Sequence, residues 1–468
     1  MTKPPRASRL LRYYLFRTRR LSRRQLGTLQ DWKMRVVFWI GALMVGLVTV
    51  GFAWVAELCA EAFAEMERHS SLWPVLITPL GMLATVFVMR RTGAESQGSG
   101  IPQVLVVLKQ RYHWLRPTFL SFRVIVMKFA LTCMGLLCGA SIGREGPSVH
   151  MGAAMMYSVG QVGRLHQKYV DNALIVAGGA AGVSAAFNAP LAGIVFAIEE
   201  LSGSFEQRTS GTLILAIILS GVVVLAIAGH YSFFGHPQGA LDITQDWLAI
   251  GVTGLVCGLL GGAFSRLLIT GSRFLAPYGR KHPYRVVLLC ALVLVLLGLV
   301  TGGMTYGSGY EQARHLLSGD ADGDWSFPLA KMAATLVSYF TGIPGGLFSP
   351  SLAAGAGVGN VIGGLFPDSS VVGITLVAMA AFLAGVIQRP ITSFVIVMEL
   401  TGNRHDILLP LMAGAFVAAA VAKLVWVRPL YDSLAERLQE GEGMALDRAR
   451  VVSTESGPPD ERGRGGGQ

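Results

Sequence analysis

Three stretches punctuated by Gly and Pro stand where apolar segments begin: Gly98-Ser99-Gly100-Ile101-Pro102, Gly143-Arg144-Glu145-Gly146-Pro147 and Gly345-Gly346-Leu347-Phe348-Ser349-Pro350. Glycine adopts backbone angles closed to other residues and proline is favoured in the first helical turn, so each stretch reads as a loop turning into a helix. A helix start presents N–H groups without intrahelical acceptors and a partial positive charge, and both suit an anion. Three such starts converging would bind an anion through dipoles alone, moderately enough to release it, where a fixed lysine would hold it. Ser99 adds a hydroxyl donor to this set, or serves only as an N-cap.

Acids complicate a site made for anions. Glu145 stands at one of the helix starts: ionised, it could occupy the anion position itself, and protonated it could leave, which would make one side chain both gate and proton carrier. The plainer alternative is an ion pair with its neighbour Arg144. Glu200 is a second acid within apolar sequence, with a helix-end surface carboxylate as its alternative role. A third chemistry, an intramembrane enzyme using Glu145 and His150 as acid and base, has little behind it. The two lie five residues apart, off a common helical face, and no nucleophile or metal cluster accompanies them. His150 reads better as a helix-packing residue.

The elements that must position these groups are membrane helices. Of 468 residues 52% are hydrophobic and 14% charged, and the mean hydropathy is +0.52, too apolar to coat a soluble globule. Uncharged runs long enough to cross about 30 Å of hydrocarbon recur, at Val36–Ala56, Thr212–Gly229, Val286–Met304 and Val371–Gln388. The fold class expected is an all-α polytopic membrane protein. The first run follows a charged segment and lacks a small-residue cleavage site, so it reads as a retained span. The five cysteines have no ligand spacing and suit core positions, with neither metal nor disulfide expected. Much of the net charge of +11 lies before the first span, where eleven Lys and Arg face only Asp31. By the positive-inside rule the N-terminus is cytoplasmic, and the interleaved Leu10, Leu11, Tyr14, Leu15 and Phe16 suit an amphipathic segment on anionic lipid better than a nucleic-acid arm.

The division expected is a basic N-terminal segment over 1–34, a membrane domain over 35–438 and a Gly-, Pro- and charge-rich disordered cytoplasmic tail over 439–468. Within the membrane domain the chain matches itself at an offset of about 200 positions: Pro147–Ala153 aligns with Pro350–Ala356, and Ala180, Ala181, Pro190 and Glu199 align with Ala380, Ala381, Pro390 and Glu399. Two halves follow, about 35–203 and 208–425, as in secondary transporters whose site lies where broken helices of both halves meet; chance likeness between Ala/Gly-rich helices is the alternative. Glu199 has a counterpart in Glu399, which suggests a shared structural role. Glu200 faces Leu400 and has none, which makes it the better candidate for function.

Taken together, GSGIP, GREGP and the G-L-F-x-P stretch, with Phe187-Asn188-Ala189-Pro190-Leu191-Ala192-Gly193 between them, resemble the CLC chloride channel and transporter family over nearly the whole membrane domain. The resemblance implies a homodimer of pseudo-symmetric, inverted-repeat protomers in a prokaryotic inner membrane, each protomer with its own pore, transporting chloride and protons without a cofactor. It implies anion binding by Ser99, the amides of Leu347 and Phe348, and the Tyr431 hydroxyl. Glu145 becomes the gate and external proton site and Glu200 the internal proton-transfer site, which favours chloride/proton exchange over a passive gated chloride channel. Fluoride-selective relatives are disfavoured by Ser99 and the complete GREGP. At the second and fourth positions of Gly346-Leu347-Phe348-Ser349-Pro350 the family often has Ile and Ala. Because the site uses backbone amides, these side-chain changes are expected to matter little.

Overall fold

The computed structural model describes residues 29–165, 168–202, 210–229, 233–319, 324–402 and 406–440; the expected amphipathic segment and all of the tail after 440 lie outside the described residues. Those described are almost entirely helical, without a strand, their one β-like feature being an isolated antiparallel bridge between Gly143 and Gly346. A first series runs α1 (Leu29–His69), α2 (Trp73–Thr92), α3 (Ile101–Leu108), α4 (Phe122–Leu137), α5 (Glu145–Val162), α6 (Lys168–Phe187), α7 (Pro190–Phe196) and α8 (Ser210–Ala228). A second runs α9 (Trp247–Lys281), α10 (Pro283–Val300), α11 (Tyr310–Leu317), α12 (Ser326–Phe340), α13 (Phe348–Gly363), α14 (Val371–Ile387), α15 (Pro390–Leu400) and α16 (Leu408–Val425), and a last helix, α17, covers 430–440.

The second series repeats the order of these helices; the short turns Ala94–Ser96 and Gln110–Leu115 and the four-residue helix Arg116–Phe119 occur in the first half only among the described residues. Each opens on a helix too long for a perpendicular crossing, 41 residues in α1 and 35 in α9, about 60 and 50 Å at 1.5 Å per residue, so both must tilt or project. Each has an eight-residue third helix, α3 and α11, entered through Gly-Ser-Gly. The division falls in the connection between α8 and α9, later than the expected 203–208, because α8 packs on α1, α6 and α7 of its own half.

Six described helices are long and apolar enough to cross a membrane, and a seventh span is available if the pair meeting at a 62° bend before α4 counts as one. Ile40, Leu43, Leu47, Trp54 and Leu58 stay exposed along α1, as a lipid-facing stripe requires. The uncharged run at Val371–Gln388 behaves differently. As α14 it is buried without a gap from Gly373 to Ile387, so it is hydrophobic all round because protein, not lipid, surrounds it. Small residues make this burial possible. A Cβ on Gly178 of α6 would lie 2.3 Å from Gly152 O of α5, and one on Gly359 of α13 would lie 2.6 Å from the Thr375 Cα of α14, so in both halves backbones meet directly. Four of the five cysteines are buried.

Half-buried glutamates join the halves reciprocally. Glu199 accepts N–H donations from Ile391 (3.3 Å) and Thr392 (2.7 Å) at the start of α15, and Glu399 accepts them from Leu191 (3.1 Å) and Ala192 (2.6 Å) at the start of α7. Each carboxylate thus satisfies orphan amides and the helix dipole of the opposite half. The exchange is what a two-fold relation between the halves requires.

Candidate anion and proton site

The loops before α3, α5 and α13 are tied into one unit by their backbones. Gly98 N donates to Gly342 O (3.1 Å) and Gly345 N to Gly98 O (3.3 Å), while Gly143 and Gly346 exchange two bonds of 2.8 and 2.6 Å. Gly98 (φ +68°) and Gly100 (φ +102°) hold left-handed conformations that make the turn into α3. Gly146 has no room for a side chain: a Cβ there would sit 2.3 Å from Ser99 Oγ and 3.2 Å from Gly346 Cα. Close approach of all three helix starts therefore depends on these glycines.

Lys128, fully buried in α4, fixes which way the first loop faces. Its ammonium donates to Ser96 O (2.8 Å) and Gly98 O (2.7 Å). In a trans peptide the N–H points opposite to the C=O, so turning the Gly98 carbonyl onto Lys128 turns the Ser99 N–H away from it. The second half repeats the device at Lys331 of α12, which donates to Thr305 O (3.0 Å), Tyr306 O (3.3 Å) and Gly307 O (2.8 Å) before α11. Both cations are spent on carbonyls, leaving dipoles and hydroxyls to face an anion.

Ser99, Leu347, Phe348 and Tyr431 come together and all are buried. Leu347 and Phe348 form the N-cap and first residue of α13, so their N–H groups have no acceptor within the helix. The Ser99 and Tyr431 hydroxyls are near neighbours, close enough to interact, yet neither completes a hydrogen bond with protein. Buried hydroxyls are almost always paired, so two converging orphan donors are the signature of a site for something else. The Tyr431 ring is positioned by Phe348, centroids 6.0 Å apart, and Phe348 in turn by Phe187 (6.3 Å) and Phe196 (6.2 Å).

Glu145 opens α5 and is buried. Its Oε1 accepts a short hydrogen bond from Ser349 Oγ in the first turn of α13, and its Oε2 lies in the angle between Gly143 and Gly346 with no partner of its own. The carboxylate thus sits where an anion at the start of α13 would sit. Arg144 is not its partner: that guanidinium pairs with Glu57 (3.6 Å), donates to Ala53 O (3.0 Å) and lies 5.4 Å over the Phe233 ring. Glu145, Ser349 and Arg144 line one cavity of about 1270 Å³. The family-atypical Ser349, whose side chain was expected to matter little, places its hydroxyl directly on the acid.

Glu200 is not a surface carboxylate, its side chain being only 1% exposed. It follows α7 where the chain widens into a π-turn, Ala197–Ser202, whereas α15 stays regular α-helix as far as Leu400 and then ends. The wider turn re-aims side chains relative to the other half. Glu200 Oε2 accepts from Arg389 Nε at 2.7 Å, and Arg389 also donates to Asp432 Oδ2 at 2.9 Å. His150 is buried with Nε2 2.8 Å from Phe119 O. Sequence reasoning missed Ser349, Lys128, Arg389 and Asp432. A lone lysine inside apolar sequence was the available signal for Lys128; nothing local pointed to the others.

A family model described as voltage gated chloride channel matches residues 80–423. The chain is 31% identical over 430 residues to the H(+)/Cl(-) exchange transporter ClcA of Klebsiella pneumoniae subsp. pneumoniae, covering 86% of this chain and 89% of the relative. It is 29% identical over 456 residues to the protein of that name in Yersinia pestis, covering 90% and 92%. In fold it matches a slow cyanobacterial Cl-/H+ antiporter (TM-score 0.74, 23% identity, 87% of this chain and 98% of the other) and a CLC-type fluoride/proton antiporter (TM-score 0.73, 22% identity, 86% and 99%). With the three fused helix starts, the reciprocal halves and this coverage in hand, the chain belongs to the voltage gated chloride channel (CLC) family.

Proposed function

We propose that this chain is a secondary active antiporter that exchanges chloride for protons through a pore within each protomer. The observation that carries the reading is the seat of Glu145, a carboxylate held by a helix-start hydroxyl beside two orphan hydroxyl donors. A carboxylate and chloride compete for one place. Protonation removes the charge that the α13 dipole attracts, so a protonated Glu145 releases the place to chloride and carries its proton away from it. Ser99, Tyr431 and the amides of Leu347 and Phe348 hold the anion next in line, without a full positive charge to trap it.

Glu200 supplies the second proton site, buried and apart from the helix starts. A passive gated chloride channel needs the Glu145 gate but leaves this acid without a task. The relatives named as exchange transporters support the exchange reading over the channel. A homodimer in a prokaryotic inner membrane with both termini cytoplasmic belongs to the same proposal, supported by the bacterial relatives and by the basic residues before the first span. The experiment is paired chloride and proton flux from vesicles containing Glu145→Ala: chloride flux continues and proton movement stops. Proton coupling that survives the substitution refutes the gate assignment.

A further inference from the structure

Glu200 does not stand alone in the structure. Arg389, at the N-cap of α15, donates Nε to Glu200 Oε2 at 2.7 Å and the terminal NH2 group to Asp432 Oδ2 at 2.9 Å, so one guanidinium bridges two carboxylates from distant parts of the chain. Exposure rises steadily along the bridge: side chains are 1% exposed at Glu200, 22% at Arg389 and 38% at Asp432. Two further charged groups among the described residues are engaged elsewhere. Glu199 caps α15, and Arg428 pairs with Glu436 across the first turns of α17. Asp432 also directly follows Tyr431, so the acid at the wet end of the bridge and the hydroxyl beside Ser99 sit on adjacent residues of α17.

Resting on the exchanger reading, we propose that Arg389 and Asp432 form the proton-loading device of Glu200. Asp432 acts as a standby counter-ion that keeps Arg389 paired whenever Glu200 is protonated. A guanidinium in a protein does not release its proton, so Arg389 transfers none and serves as a positioning residue. With Glu200 ionised, Arg389 compensates both carboxylates in part. When a proton from water settles on Glu200, the Glu200 ion pair is lost and the guanidinium keeps Asp432. Without Asp432 the same protonation would strand a partly buried cation, which is strongly unfavourable. Loading would then stall while the anion path, built on other residues, keeps running.

The test compares Asp432→Asn, Asp432→Ser and Asp432→Glu with the unaltered protein, measuring chloride and proton flux together in vesicles driven by a chloride gradient. Chloride flux serves as the internal check on folding. In Asp432→Asn and Asp432→Ser the proton flux falls about fivefold, the loss expected of a half-exposed ion pair at the upper end of its range, while chloride flux stays within about twofold. Asp432→Glu restores coupling. If the unaltered protein couples and both neutral variants keep its chloride-to-proton ratio, the counter-ion role is wrong. The role is equally wrong if both fluxes fall together with the ratio intact, because that marks a purely structural tie. If the unaltered protein moves no protons, the exchanger reading itself fails, and this inference falls with it.

Discussion

Ser349→Ala removes one hydroxyl and nothing else from the Glu145 seat. Donor and acceptor are both buried, Ser349 4% and Glu145 1% exposed, so the hydrogen bond is not a solvent-averaged surface contact. A hydrogen bond to a charged group is worth about 1.5–3 kcal/mol, which is roughly one to two decades in the competition between carboxylate and chloride. Both residues line the same cavity, and water from it can replace part of the lost donor, so the shift settles at about three- to tenfold. The direction is fixed. A weaker carboxylate seat lets chloride in at lower concentration, so the chloride concentration giving half-maximal flux falls. The assay is chloride titration of flux in vesicles, repeated in a Glu145→Gln background where no carboxylate is left to compete. A shift in the first background and none in the second is the signature of a pairwise effect. Equal shifts in both backgrounds, or none in either, would show that the hydroxyl acts on chloride directly or on nothing, and the competition argument would fail.

Glu200→Gln keeps size but cannot titrate, so proton flux should fall far more than chloride flux. Glu399→Gln should leave coupling intact and lower thermal stability by about 1–2 kcal/mol through two weakened helix-start bonds to Leu191 and Ala192, measured by denaturation of the detergent-solubilised protein. Ser99→Pro deletes a donor and keeps a helix-compatible backbone, which should penalise chloride more than the larger, weakly hydrated nitrate; anion competition in vesicles reads this, with Tyr431→Phe as the second donor deletion, and an unchanged nitrate-to-chloride preference would reduce Ser99 to a cap.

What the sequence made legible was whatever leaves a local trace. Gly98, Gly100 and Pro102 mark a tight turn into a helix, and that turn is present with both glycines in left-handed conformations. The self-match near 200 positions holds because the chain runs twice through one order of eight helices, even though α8 moves the junction later than the alignment placed it. Contacts across the chain leave no such trace. Ser349 and Glu145 are 204 positions apart, Arg389 and Glu200 189, and a serine in a variable motif position or an arginine before a proline reads as ordinary in its own window. The Arg144–Glu145 alternative failed for the complementary reason: sequence neighbours at a helix start point apart, and Arg144 found Glu57 on α1 instead. The π-turn after α7 was invisible because its widening changes which way Glu200 faces without changing residue type.

Exchange and conduction differ in one observable, the movement of protons against their own gradient with chloride as the only source of energy. Vesicles holding the purified protein and loaded with high chloride, at equal pH inside and out, are diluted into low-chloride medium, and external pH is followed as chloride leaves. Protons should enter the vesicles until stopped by an opposing pH gradient, and Glu145→Ala under the same conditions should release chloride with no proton movement. Chloride efflux from the unaltered protein with no proton uptake, under a clamp that removes passive leak, would contradict exchange and leave a gated chloride channel in its place.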